Sequence, residues 1–431
     1  VSPLSEPAPR DPGVRSHTWL EGLVASAVPF LLAVNIALPQ GFKVGYLLAL
    51  LLLPVWLPVL KHYRSARLLV ALGVAAIAVG ALLTGFARID HPTSQSLLVV
   101  NSVMLLGLIA GIGALLWSRH ILGSPTVAVW FGMGMVVGIP FGSGLSSENV
   151  WRFGLSLPLT VMFLALAWKA KSRVLELAAI AVLGGVSALN DARSGSAMLL
   201  MAASLVVWQL RPTGGGRRGS TIRTLLGFAV LGSVVYTAAQ AVILGGLLGE
   251  NTRERTQAQI DTSGSLILGG RPEAGATLEL ILQQPFGYGS GTMPTLSDIL
   301  VAKTGMSLIG YQPNNGYVER YMFGTGFEVH SVLGDLWIIF GLGGAALAVL
   351  FLILTFRSLA AALARRAASA LLIWLAIRMV WNLLFSPLDS SVLLIMLFLA
   401  IAFVPVGSAT GNATAPLASG PRHLESPKVT A

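Results

Sequence analysis

Four side chains in this sequence have the type and placement to do chemistry: Arg193, Arg271, His330 and Arg378. Arg193 stands in Asn190-Asp191-Ala192-Arg193-Ser194-Gly195-Ser196, at the head of an apolar run. The first turn of a helix leaves amides unpaired and carries the positive end of the macrodipole, so an anion is favoured there. A guanidinium beside those amides strengthens the preference for phosphate. The plainer reading is that Asn190 or Asp191 caps the helix and Arg193 reaches to the surface. Arg271 lies in Gly269-Gly270-Arg271-Pro272-Glu273, just before residues 274–283, whose pattern predicts an amphipathic helix. Taken alone it reads equally as a solvated loop arginine. His330 stands where a long polar stretch gives way to an apolar one. Histidine is the side chain best placed to move a proton near neutral pH, so His330 reads as a general base, a phosphate hydrogen-bond donor or an interfacial residue. Arg378 falls inside an apolar run, where an arginine costs about 2.5–3.5 kcal/mol on insertion scales and faces a partner or cavity. Asp191, Asp335 and Asp389 are its candidate partners, and a buried structural ion pair is the alternative to a direct role.

The elements that must position these residues are membrane spans. Hydrophobic residues make up 55% of the chain and charged residues 11%, against about 25% charged in a soluble domain. Mean hydropathy is +0.77. Several runs approach the roughly 20 apolar residues that a helix needs to cross a bilayer, and the period-2 pattern of a membrane barrel is absent. The reading is an all-α, polytopic transmembrane bundle of about twelve spans: 19–38, 44–60, 68–86, 97–117, 127–141, 153–168, 174–189, 194–210, 225–248, 332–356, 367–385 and 392–406. Residues 1–18 and 407–431, rich in proline and small polar residues, read as disordered tails. Residues 19–248 carry the first nine spans, and 332–406 the last three. Residues 249–331 form one long polar insert with short helices. Such an insert is uncommon unless it has a task, and the expectation is that it roofs a site floored by the spans.

Charge placement orients the chain. With the N-terminus cytoplasmic, 18 of the 28 Lys and Arg fall on the inner side and 9 on the outer, with Arg378 inside a span. The positive-inside rule therefore puts both termini in the cytoplasm and the insert outside. The net charge of +10 follows topology instead of clustering on one face, so nucleic acid is excluded as a partner. Cysteine is absent, which removes disulfides and thiolate chemistry. No spacing of histidine with acidic residues suggests a metal, and no cofactor is implied. Gly214-Gly215-Gly216-Arg217-Arg218-Gly219 lacks the Gly-Lys-Ser/Thr ending of a phosphate loop and reads as a linker. Gly287 to Gly291 allows a tight turn or close approach to a ligand, and Gly341-Leu342-Gly343-Gly344 allows close helix packing.

Four pieces, in this order, resemble the O-antigen ligase/O-antigen polymerase superfamily of membrane glycosyltransferases. They are Ala192-Arg193-Ser194-Gly195; Gly270-Arg271 opening a helix in the outer loop; Gln284-Pro285-Phe286-Gly287-Tyr288-Gly289-Ser290-Gly291; and His330-Ser331 followed by Gly334-Asp335-Leu336 and Phe340-Gly341-Leu342-Gly343-Gly344. The sequence departs from the family in having Ser331 where asparagine is common, and Pro272-Glu273-Ala274 after Arg271. The resemblance implies a GT-C-like bundle in the inner (cytoplasmic) membrane. It implies a metal-independent, inverting transfer from a polyprenyl-diphosphate-linked glycan donor to a glycan or lipid acceptor at the outer face, in cell-surface polysaccharide synthesis. Carried onto this chain, Arg193 and Arg271 hold the diphosphate, with Arg378 a third guanidinium at hand, and His330 works at the reacting centre. Glu319, Glu328 and Asp335 are substitute bases. Two rivals stand beside it. A lipid-linked-sugar transporter or flippase predicts symmetric halves and broken helices, neither of which the sequence displays. A peptidoglycan-type polymerase predicts an acidic residue in the outer loop, where Asp261, Glu273, Glu279 and Asp298 stand.

Overall fold

The computed structural model describes residues 18–210, 250–263 and 271–406, with isolated positions between 211 and 249. The expected tails, the glycine linker and most of the ninth expected span lie outside the described residues. Among the described residues the chain is helical, and no strand is longer than an isolated bridge. Helices occupy the other eleven expected segments. They are α1 (Trp19–Val34), α2 (Val44–Leu51), α3 (Leu53–Trp56), α4 (Ala66–Ala87), α5 (Gln95–Leu122), α6 (Ser124–Gly138), α7 (Ser156–Lys169), α8 (Arg173–Leu189) and α9 (Arg193–Leu210). The insert contributes α10 (Glu250–Ser263), α11 (Glu273–Gln283) and α12 (Leu296–Leu308). The chain then forms α13 (Val332–Ala364), α14 (Ala370–Phe385) and α15 (Leu388–Ala402).

Five helices are long and apolar enough to cross a membrane, or six if α2 and the segment after it, bent by 56°, count as one span. The lengths and composition are those of a multi-pass membrane protein. The outward faces agree: Phe86, Val182 and Leu342 are exposed, as lipid-facing side chains are. At the centre lies α5, buried from Val103 to Ser118 and packed by α1, α2, α4 and α15.

Local chemistry sets the helix ends. Thr18 opens α1 with a reciprocal capping box: its hydroxyl accepts from the Glu21 amide at 3.2 Å and its own amide donates to the Glu21 carboxylate at 3.0 Å. Ser331 opens α13 by accepting from the Gly334 amide at 3.1 Å. On α4, Leu69, Gly73, Ala76 and Gly80 are buried at helical spacing. That stripe lets α13 approach so closely that a side chain on Gly343 would lie 2.9 Å from the Ala76 backbone.

The glycines of α13 do two different jobs. Gly343 is a packing residue, as expected. Gly341 is a break, with φ +58° and ψ −147° inside the helix. A break frees carbonyls that lipid cannot satisfy. Here the Gly287–Gly291 turn supplies the donors. The Tyr288 and Gly289 amides both donate to Ile338 O, at 2.9 and 3.1 Å. On the α4 side, the Ser290 amide donates to Gly80 O at 3.0 Å and the Gly291 amide to the Thr84 hydroxyl at 2.9 Å. Gly289 has φ +110°, and a Cβ there would sit 2.5 Å from the Thr84 amide. The turn is therefore a wedge between α4 and α13, not a ligand cradle. Its presence also corrects the expectation that no helix is broken. Loop backbone fills the break, a place that the broken helices of transporters leave to substrate and ions.

The insert is fastened at a second point. His91, in the α4–α5 connection, has Nδ1 2.7 Å from Asp90 Oδ1 and Nε2 3.2 Å from Asp298 Oδ2. Asp298 also caps α12 in a box with Thr295. These ties press α11 and α12 over the ends of the apolar helices.

Candidate functional site

Arg271 precedes α11, whose buried face carries Glu273, Gly275, Ala276 and Leu280 against α12. The expected amphipathic helix is present, starting one residue earlier at Glu273. The Arg271 guanidinium lies over the Trp381 ring of α14, 5.6 Å from its centroid, a cation–π placement. One helical turn away on α14 is Arg378. None of the three aspartates expected as its partners reaches it. Asp191 binds Arg193 at 3.0 Å. Asp389 is 3.9 Å from the Lys43 ammonium. Asp335 gives both oxygens to backbone amides, of Val329 at 2.7 Å and Leu388 at 2.8 Å. Arg378 instead points Nη1 at the Met198 sulfur, 3.9 Å away, and its buried Nε has no hydrogen-bond partner. Two adjacent guanidiniums without a carboxylate between them, among the described residues, make a strong local field for an anion.

Arg193 is held at one remove from this pair. Asp191 adopts φ +51° and turns its carboxylate onto Arg193 Nε, while Arg193 Nη1 donates to the Thr256 hydroxyl of α10 at 3.1 Å. Asn190 donates from its side chain to Val186 O, so it finishes α8 instead of capping α9. Met198, which touches Arg378, lies five residues along α9 from Arg193, a rise of about 7.5 Å. Arg378, near the middle of α14, thus meets α9 past its first turn, and no contact joins Arg193 to Arg271 among the described residues.

His330 is gripped on both sides. It carries φ +55°, a region that costs a non-glycine residue energy and persists only where the surroundings enforce it. The enforcement is visible. The Val329 amide is pinned by Asp335, and the Ser331 hydroxyl donates to Leu383 O at 2.8 Å. The imidazole faces Tyr317, with ring centroids 6.3 Å apart. Its Nε2 is 3.6 Å from Glu328 Oε1, and its Nδ1 has no hydrogen-bond partner. Burial pushes the Glu328 carboxyl up from its ordinary value, with His330 pulling it down and Asp389 pushing it up. Of the substitute bases, Glu328 alone stands beside His330. Glu319 is paired with Lys303, which holds its carboxyl below the ordinary value, and Asp335 is committed to backbone.

Tyr317 connects the two halves, and sequence reading missed it. Its hydroxyl donates to Glu273, two residues after Arg271, while its ring faces His330. Burial first, then the Glu273 carboxylate, holds its phenol well above the ordinary value despite the nearby Arg271. It therefore stays a donor at any physiological pH. Glu273 is buried, and its second oxygen has no partner. Only the spacing of Tyr311, Tyr317 and Tyr321 in a polar loop could have drawn attention here. No family model, curated protein or solved structure matches this chain.

Proposed function

We propose that this chain is a glycosyltransferase of the O-antigen ligase or polymerase type, with about twelve spans and a GT-C-like bundle. It takes a glycan from a polyprenyl-diphosphate carrier at the outer face of the cytoplasmic membrane and passes it to a glycan or lipid acceptor. The observation that carries the reading is that Arg271 and Arg378 meet the same stretch of α14 around Trp381, while the strained His330 is tied to that helix through Ser331 and Leu383 O. Among the described residues neither arginine has a carboxylate partner, so the pair suits a diphosphate; the histidine suits a proton.

In the reaction, the acceptor oxygen forms a bond to the anomeric carbon as the bond from that carbon to the diphosphate oxygen breaks, with inversion. The electron pair of the broken bond leaves on the diphosphate. Arg271 and Arg378 stabilise that growing charge, and Arg193, on the same helix pair, steadies the far phosphate. Fixed cations in a site partly shielded from water are worth far more than in bulk solvent. The acceptor proton passes to His330, whose orientation Glu328 and Tyr317 hold. The outer-loop acids that a peptidoglycan-type polymerase would use fit less well, since Asp298 caps α12 and faces His91.

Donor binding and glycan transfer by purified variants in nanodiscs test the reading. Arg193→Ala and Arg271→Ala should each abolish most transfer in a protein that remains folded, and the double variant should be little worse, because both act on one leaving group. Lysine should restore only part, lacking the planar fork. Near-normal transfer by both alanine variants would sink the proposal in favour of a transporter.

A further inference from the structure

A cavity of about 160 Å³ opens beside Glu328. Its polar wall is Lys43, Tyr46, Asn101, Glu328, Asp389 and Asp335, the last with both oxygens already taken by backbone amides, and its apolar wall includes Phe327. These residues come from the start of α2, from α5, from the end of the insert, from α13 and from the start of α15. Tyr46 is 1% exposed and its hydroxyl has no hydrogen-bond partner. A buried hydroxyl left unpaired is costly and marks a place where a ligand group is expected. Asn101 uses its amide nitrogen on Ser290 O at 2.7 Å, which leaves its carbonyl as an acceptor.

The chemistry selects a ligand. The wall offers a phenol, an amide carbonyl, two carboxylates and an ammonium beside an aromatic ring. That is a set of closely spaced donors and acceptors, suited to adjacent hydroxyls. The volume is below the roughly 300–1,000 Å³ of drug-sized sites, so it holds one ring and not a chain. Two carboxylates against one ammonium disfavour an anionic ligand, while the arginines at the mouth favour one. We infer that the cavity is a subsite for a single uncharged or amine-bearing sugar ring, the acceptor residue of the transfer proposed above, on which this assignment rests. Glu328 both lines the cavity and faces His330, so a hydroxyl of that ring lies next to the base.

Saturation-transfer NMR on the full chain in nanodiscs tests it. The probes are methyl glycosides of a neutral hexose, an amino sugar and a uronic acid. The first two should receive saturation and the third should not. Tyr46→Phe, which removes one oxygen, and Lys43→Met should each weaken the signal about tenfold, with thermal unfolding near wild type. In transfer assays Tyr46→Phe should raise the acceptor KM and leave the donor KM in place. Equal binding of the uronic acid, a signal unchanged in both variants, or a rise in donor KM instead would overturn the inference. A sugar signal lost in Tyr46→Phe while the arginine variants transfer normally would overturn the transferase reading and leave the sugar site standing.

Discussion

The region around Arg271 and the cavity around Tyr46 are linked through one short segment, Glu328-Val329-His330, and carry opposite charge. On one side stand the Arg271 and Arg378 guanidiniums, neither paired with a carboxylate among the described residues. On the other, Glu328 and Asp389 outnumber Lys43. Charges of one sign gathered without compensation raise the energy of the empty site and lower it when a counter-ion arrives. On the proposed reading, the α14 side takes the anionic donor and the α2 side the uncharged acceptor ring. The pinned, strained His330 is the border between them.

The comparison can be broken in four ways. The largest effect should come from reversing the mouth. Arg271→Glu should cut transfer about a thousandfold or more and abolish donor binding, measured by turnover and by titration of a lipid diphosphate. If donor binding survives, the mouth is not the anion site. Next is the border. His330→Ala should lower kcat about a hundredfold to ten-thousandfold, the range for a general base, while donor affinity holds. A loss confined to donor affinity would move His330 to the cationic side.

Tyr317→Phe should come third, acting through the scaffold. It leaves buried Glu273 without its donor, at about 1–3 kcal/mol, and the melting temperature should drop, with Glu273→Gln in the same background restoring part of it. An unchanged melting temperature would mean that water replaces the phenol. The smallest effect concerns pH. The Glu328 carboxyl is raised in the fold, so the protonated form is favoured by folding. The stability it contributes is complete below its unfolded value and is lost as pH rises through the raised folded one. Wild-type melting temperature should therefore fall over that window relative to Glu328→Gln. Parallel curves would show that Glu328 does not titrate against the fold.

Much of the helix layout was legible because runs of apolar residues long enough to span a bilayer leave little other choice: α4, α5 and the start of α13 lie within a few residues of the segments read from sequence. The interior of α13 was not. Gly341 and Gly343 look alike in sequence, yet one breaks the helix and one packs it, and only the position of Phe286–Gly291 decides which. Arg378 was recognisable as unusual because a charge in an apolar run is expensive. Its neighbours were not recognisable, since a sequence shows how many aspartates exist and not which amides already occupy them, as with Asp335. Lys43 and Tyr46 share the start of α2, but their grouping with Asn101 was invisible because no spacing links them to a residue on α5. His330 stood out by type, but its φ did not, since nothing in the sequence forces a histidine into that region.

The wedge of Gly287–Gly291 also dictates an order of assembly. The turn is made before the helix it plugs. At about 5–20 residues per second, roughly three to ten seconds of synthesis separate Gly291 from Gly341. Throughout that interval the turn has α4, α5 and their connection to lean on, but its Tyr288 and Gly289 amides have no Ile338 carbonyl to meet. The roof can close only after α13 has been inserted and broken. A nascent chain that stops short of α13 lacks the carbonyl on which the wedge closes.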